Sequence, residues 1–284
     1  MRNALTFDVE EYFHAEVFAG LVGADDWPSF PSRVVESTEW ILGLLGRYGA
    51  TATFFVLGWV ADRHPGLVRE IRAYGHEVAC HGYAHRLIYA ADREAFRADV
   101  HRGKRAIEDA TGVRVLGYRA PTFSVVRETL WALEILVEEG FRYDSSIFPI
   151  HHDRYGIPNA PRFPHRVRLN GGGTLVEFPI TTLRLGGQRL PFSGGGYFRL
   201  APYPVIRAAM RHVNRREGMP ALVYLHPWEL DPGQPRLPVK GLSRFRHYVN
   251  LRRTAAKLDR LLGDFAFAPV GQVLAARGFP EVLG

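Results

Sequence analysis

Short apolar runs alternate with longer segments of helical period along most of the chain. The runs NALTFDV (3–9), TATFFVLG (51–58), GHEVAC (75–80), VRVLGYR (113–119), FRYDSS (141–146), TLVEFPI (174–180) and ALVYLH (221–226) are rich in β-branched and aromatic residues and predict seven strands. Between many of them the apolar positions return with the period of a helix. VVESTEWILGLLGRYG and PGLVREIRAYG each end at a glycine, the second opening on a proline, and DREAFRADVHRGKRAIEDATG places Phe96, Val100 and Ile107 on one stripe. Strands alternating with helices predict parallel pairing, because a parallel crossover needs a connection of about a dozen residues or more. The expectation is an α/β fold closed into an imperfect seven-stranded barrel.

From about residue 147 the pattern loosens. The stretch from Ile147 to Ile180 is rich in proline and glycine and predicts a hairpin across NGGG; LPFSGGGYFRLAPY is a second glycine-rich loop. Both read as insertions after the fifth strand of a single domain, because the strand ALVYLH returns after them. The core is expected over about 3–230, followed by a basic helical extension over about 240–284.

At 284 residues and 46% hydrophobic, the chain can bury a sizeable core. The opening MRNALTFDVEEYFHAEVF carries acidic residues where a secretory signal needs an apolar run, and no stretch approaches the roughly 18 apolar residues of a membrane span. A cytoplasmic location is expected, and the single cysteine, Cys80, fits a reducing compartment. Net charge is +7, nearly all of the cations being arginine. They concentrate in VIRAAMRHVNRREG and SRFRHYVNLRRTAAKLDR. A solvated helix face accounts for such patterns; peripheral contact with an anionic membrane surface, at its inner face, is the functional alternative. No nucleic-acid-binding motif is recognisable, so no nucleic-acid partner is expected.

The polar residues at strand ends carry the candidate chemistry. Alternation along the first strand puts Thr6, Asp8 and Glu10 on one side and Leu5, Phe7 and Val9 on the other. His81 and His85 follow the third strand, Arg119 ends the fourth, Asp144 lies on the fifth and His226 closes the seventh. Taken singly, each has an ordinary structural role: a turn cap, a surface ion pair, a core histidine. HGYAH also lacks the glutamate of an H-E-x-x-H helix. Taken together, they sit at one mouth of a parallel barrel, where strand ends converge. Cys80 reads as a small buried residue, and His151 and His152 as part of a loop.

TFDVE, HGYAH, YRAPTF and YLHPWE, in this order and spacing, resemble the motifs of the polysaccharide deacetylases of carbohydrate esterase family 4, the NodB homology family. TFDVEEYFH, YDSSIFPI and PFSGGGYFR, with the arginine-rich tail, resemble the subgroup accompanying exosortase-linked exopolysaccharide loci. The resemblance covers about residues 3–230. It implies a distorted (β/α)7 barrel and a hydrolase that uses a divalent metal, often zinc, to remove N-acetyl or O-acetyl groups from sugars. It further implies that Asp8 is the general base oriented by Arg119, that His226 is the general acid, and that His81 and His85 are metal ligands.

Two departures bear on the site. The family pattern has a second aspartate beside the first, where this chain has Val9, which cannot bind a metal. Either Glu10 completes the triad, as its place on the Asp8 face favours, with Glu11 and His14 as alternatives, or the site is metal-free, as in allantoinase-like members of the superfamily. Thr122 also stands where an aromatic is common, with Phe123 one position later. Tyr118, Phe123, Phe148, Tyr197 and Trp228 are candidate contacts for the acetylated amino sugar, and Asp144 a supporting residue behind the site. The remaining alternative is a carbohydrate-binding pseudoenzyme.

Overall fold

A computed structural model describes residues 1–283. All seven expected strands are present: β1 (Arg2–Val9), β2 (Thr53–Val56), β3 (Glu77–Cys80), β4 (Gly117–Tyr118), β5 (Tyr143–Asp144), β7 (Thr174–Glu177) and β10 (Leu222–Leu225). They pair in parallel in the order β10-β1-β2-β3-β4-β5-β7. The predicted hairpin forms between β6 (His165–Arg168) and β7, antiparallel, with β6 at the sheet edge. A second hairpin, β8 (Thr182–Leu185) with β9 (Gln188–Pro191), stands apart from the main sheet.

The barrel is distorted because, among the described residues, no strand ladder joins β7 to β10. The chain around the second hairpin crosses that gap instead: Leu222 N donates to Thr181 Oγ1 at 2.7 Å and Tyr224 N to the Ser193 carbonyl at 3.0 Å.

Among the described residues ten α-helices connect and flank the strands: α1 (Val34–Arg47), α2 (Gly58–Arg63), α3 (Pro65–Ala73), α4 (Arg93–Thr111), α5 (Ala132–Glu138), α6 (Gly195–Leu200), α7 (Tyr203–Arg215), α8 (Gly241–Tyr248), α9 (Leu251–Asp264) and α10 (Val270–Ala275). Outward-facing Leu5, Phe7, Val9, Phe54 and Val56 pack with Ile41, Leu45, Val68, Val100 and Ile107 of the helices. Each such buried side chain stabilises the fold by roughly 1.5–3 kcal/mol. The barrel interior is a second apolar cluster that includes Ala4, Phe55, Ala79, Tyr143, Val176 and Tyr224. Period-two alternation along β1 therefore divides two cores and sends Thr6, Asp8 and Glu10 inward.

α4 follows its sequence signals. Asp92 caps its start, accepting from Ala95 N at 2.8 Å; Gly112 ends it at φ 69°, and Phe96, Val100 and Ile107 are buried. The C-terminal residues depart from expectation. β11 (Ala266–Ala268) pairs in parallel with β1, and Val270, Val273 and Leu274 of α10 join the interior cluster. The barrel core is thus completed beyond residue 230, by a three-residue strand too short to register as an apolar run. No described helix is long and apolar enough to cross a membrane.

Candidate metal and acid–base site

Arg119 organises one wall of the barrel mouth. Its side chain is fully buried; Nη1 donates to Asp8 Oδ1 at 2.6 Å and Thr6 Oγ1 at 2.8 Å, Nε to the Ser145 carbonyl at 3.1 Å and Nη2 to Ser145 Oγ at 2.9 Å. The Phe55 ring lies 4.1 Å from the guanidinium carbon. A planar fork with this many fixed partners holds one orientation, so Asp8 receives a cationic partner at a fixed place. Asp144 stands behind this wall. Its Oδ1 accepts from Ser146 Oγ at 2.5 Å, and Ser146 Oγ accepts from Ala120 N at 2.7 Å, which ties β5 to the residue after Arg119. Burial raises the pKa of both Asp144 and its neighbour Glu177, and the Asp144 charge pushes Glu177 further up, well above the ordinary carboxylate value.

Glu10, His81 and His85 converge on the other side. Their ligand atoms all lie within 4.8 Å of one another. Glu10 Oε2 is 2.7 Å from His85 Nε2 and 4.0 Å from His81 Nε2. Oε2 is buried, with the two imidazole nitrogens as its polar neighbours. The other oxygen, Oε1, accepts from Trp228 Nε1 at 3.1 Å. His81 Nδ1 lies 2.8 Å from the Arg119 carbonyl, a bond that fixes the tautomer and turns the Nε2 lone pair towards Glu10. Burial pushes His81 down to about 4, leaving it neutral. Burial would raise Glu10, yet the three surrounding histidines outweigh it and hold the carboxyl well below its usual range. Burial depresses His85, and the adjoining Glu10 charge draws it back above the ordinary histidine value. Two imidazole nitrogens and one buried carboxylate oxygen are a donor set that fits a divalent cation of the zinc type.

The HGYAH loop is shaped from behind by α4. Asp99 accepts from Tyr83 N at 2.8 Å and Ala84 N at 3.0 Å, and Gly58 N donates to the Gly82 carbonyl at 2.8 Å. A Cβ on Gly103 would come within 2.6 Å of that carbonyl oxygen, so the helix approaches the loop only because residue 103 is glycine. His85 itself adopts φ 51°, the left-handed turn that brings its ring back beside His81. Glu11 and His14 do not join the cluster. The Glu11 carboxylate turns to Ser32 Oγ and to Arg33 N (2.9 Å); His14 Nδ1 accepts from Glu11 N at 3.1 Å, and its ring packs against Trp27 and Trp59.

His226 reaches both groups: Nε2 is 3.8 Å from Asp8 Oδ2 and 3.7 Å from Glu10 Oε1. Its Nδ1 is bonded to Glu229 Oε2 at 2.9 Å, and Glu229 Oε1 accepts from Arg199 Nε at 2.6 Å. Burial would lower His226, but the Glu229 bond and charge raise it to about 9. Glu229 and Arg199 are functional candidates that motif reading passed over. The signal for Glu229 was present in HPWE, where a carboxylate three residues after the histidine caps the turn; Arg199 arrives from the glycine-rich loop and carries no local signal.

Three of the expected sugar contacts are corrected. Tyr118 lies on the outer face of β4, its neighbour Arg119 taking the inner one, and packs against Phe96 and Phe141. Phe148 is fully buried, one face stacked on Tyr155. Trp228 has the His226 ring on one side at 4.9 Å and the His247 ring on the other at 4.5 Å, both near-parallel, so its faces are taken and its N–H serves Glu10. Tyr197 remains partly exposed beside Phe148; Phe123, at φ 52°, edges against Tyr224 at 4.8 Å. Cys80 is buried, and His152 stacks on Tyr155 within its loop.

Comparison with known proteins agrees with this architecture. Residues 21–140 match the family described as polysaccharide deacetylase, and residues 145–275 a domain of unknown function, DUF3473. A candidate polysaccharide deacetylase from Mycobacterium smegmatis, known from its crystal structure, superposes with a TM-score of 0.62 at 25% identity, over 98% of this chain and 89% of that one. The peptidoglycan deacetylase of Helicobacter pylori is 30% identical over 165 residues, 57% of this chain and 52% of that protein. The chitooligosaccharide deacetylase of Rhizobium leguminosarum bv. trifolii is 41% identical over 73 residues, 26% of this chain and 34% of that protein. The chain thus spans about half of the first relative's length and a third of the second's. Over residues 21–140 it is similar to the polysaccharide deacetylases, and over nearly its whole length it shares the fold of the Mycobacterium smegmatis protein.

Proposed function

We propose that this chain is a hydrolase that removes acetyl groups, N-acetyl above all, from a sugar of an exopolysaccharide or its precursor, using a divalent cation, zinc by preference, held by Glu10, His81 and His85. The observation that carries the reading is the pairing of partners at one mouth: a carboxylate bonded to a buried guanidinium and a histidine bonded to a buried carboxylate, 3.8 Å apart, beside a carboxylate and two histidines of metal-ligand spacing. The exopolysaccharide assignment rests on the motif details of the first strand and the glycine-rich loop.

A cation bound there supplies Lewis acidity, polarising the acetyl carbonyl and making water more acidic. The chain's own residues do the rest. Arg119 occupies Asp8 Oδ1, leaving Oδ2 on the His226 side to take a proton from the attacking water. The departing amine is too basic to leave as an anion. His226, kept protonated through neutrality by Glu229, delivers the Nε2 proton to that nitrogen. Trp228 fixes Glu10 so that the carboxylate neither swings towards His226 nor takes its proton. The gathering of Glu10 Oε2 with two buried imidazole nitrogens favours this scheme over a metal-free amidohydrolase, and the retained base and acid favour it over a pseudoenzyme.

The test is an elemental analysis of the purified protein beside an acetate-release assay on N-acetylhexosamine oligomers. Near-stoichiometric zinc, with activity lost to chelator and restored by zinc, is expected. Absence of bound metal together with chelator-insensitive turnover of a ureide would overturn the proposal.

A further inference from the structure

α8 presents an apolar edge to solvent. Leu242 and Phe245, three residues apart and so on one side of the helix, are 60% and 53% exposed; only His247 is buried and Tyr248 half-buried. Phe245 also lines, with Gly241, Arg244, Tyr248 and Val249, a shallow depression at the surface.

The segment that carries it is cationic throughout. Residues 232–258 contain Arg236, Lys240, Arg244, Arg246, Arg252, Arg253 and Lys257 and no aspartate or glutamate. Lys257 is turned inward, its Nζ donating to the Phe198, Arg199 and Ala201 carbonyls. The other six are exposed, and among the described residues none of them has a carboxylate within 4.0 Å. On α7, by contrast, Arg207 is paired with Asp264 at 3.0 Å. An aromatic and an aliphatic side chain held out of the protein inside a ring of unpaired cations match the headgroup and acyl boundary of an anionic bilayer.

This helix is also joined to the catalytic mouth. His247 stacks on Trp228, which holds Glu10, and Arg199 bridges Glu229 to the backbone carbonyls of Arg246, His247 and Val249.

We propose that α8 and its flanks are a docking surface for an anionic lipid bilayer, with Leu242 and Phe245 entering the interface and Lys240, Arg244 and Arg246 meeting lipid phosphates, so that the barrel mouth works beside a membrane. The docking does not depend on the deacetylase reading.

Co-sedimentation with phosphatidylcholine vesicles, with and without phosphatidylglycerol, tests it on the full chain. Binding to the anionic vesicles alone is expected, weakening as salt rises. An arginine near such a surface is worth about fivefold in partitioning, so Arg244→Ser with Arg246→Ser should cost roughly thirtyfold. Leu242→Ser with Phe245→Ser should abolish penetration, read as loss of quenching of a probe at Ser243→Cys, beside Leu242, by bilayer-borne quencher, with an unchanged thermal melt. No preference for anionic vesicles, or full binding by the serine pair at 242 and 245, overturns the proposal. Concentration-dependent dimerisation lost in that same variant, with no vesicle binding, would assign the face to a second copy instead.

Discussion

Trp228 holds one oxygen of Glu10 at 3.1 Å and thereby leaves the other facing His81 and His85. The indole is itself clamped between two imidazoles, so the direction of its N–H is set by packing. Trp228→Phe keeps a ring in the stack and removes the donor. Loss of a residue that orients a ligand weakens a metal site by roughly 10–100-fold, and zinc titration against a competing chelator should show a fall of that order with little change in secondary structure.

Asp8 on β1 and Glu10 just past its end divide their work by partner. Asp8 is bonded to Arg119, and Glu10 to Trp228. Asp8→Asn should keep most of its bound metal and lose acetate release; Glu10→Ala, His81→Ala and His85→Ala should each lose both together. Elemental analysis of the four variants decides. Metal retained in Glu10→Ala would transfer the third ligand position to another residue.

His226→Ala should lower turnover of an N-acetyl substrate by about 10²–10⁴-fold, while an activated aryl ester, whose leaving group needs little protonation, loses much less. Because the acid must be protonated, the wild-type rate should fall as pH rises through about 9. Glu229→Gln withdraws the charge that raises His226, so the alkaline limb should move to lower pH. An unmoved limb would detach that limb from His226.

Glu177 and Asp144 couple stability to pH in the opposite sense from a surface ion pair. Their folded-state values are raised, so the stability they lend is fully present below the ordinary carboxylate value and is lost as pH rises through the folded one. Glu177→Gln keeps an acceptor for Ile147 N, which bonds Glu177 Oε1 at 3.1 Å, and has no charge to bury. Thermal melts from mildly acid pH upward should fall less steeply in the variant, leaving it the more stable protein at neutral and alkaline pH.

Much of this site was legible one strand at a time. Period-two alternation in NALTFDVE places Asp8 and Glu10 on one face whatever surrounds them, because neighbouring side chains on a strand must point oppositely. The seven apolar runs and the glycine-closed helices between them likewise specify a parallel α/β barrel, since local pattern and crossover length leave few other arrangements. Tertiary structure decided the rest, because it depends on residues that meet only after folding. Glu10, and not Glu11 or His14, gathers with His81 and His85, because Ser32 and Arg33 hold the Glu11 carboxylate and His14 packs between Trp27 and Trp59. Tyr118 and Trp228, aromatic beside the motifs, do not face a substrate, since one lies on the outer side of its strand and the other is sandwiched between histidines. Arg199, which steadies Glu229 beneath His226 from 30 residues away, has no neighbour in sequence that announces its role; only the path of the chain across the barrel's open side brings it there.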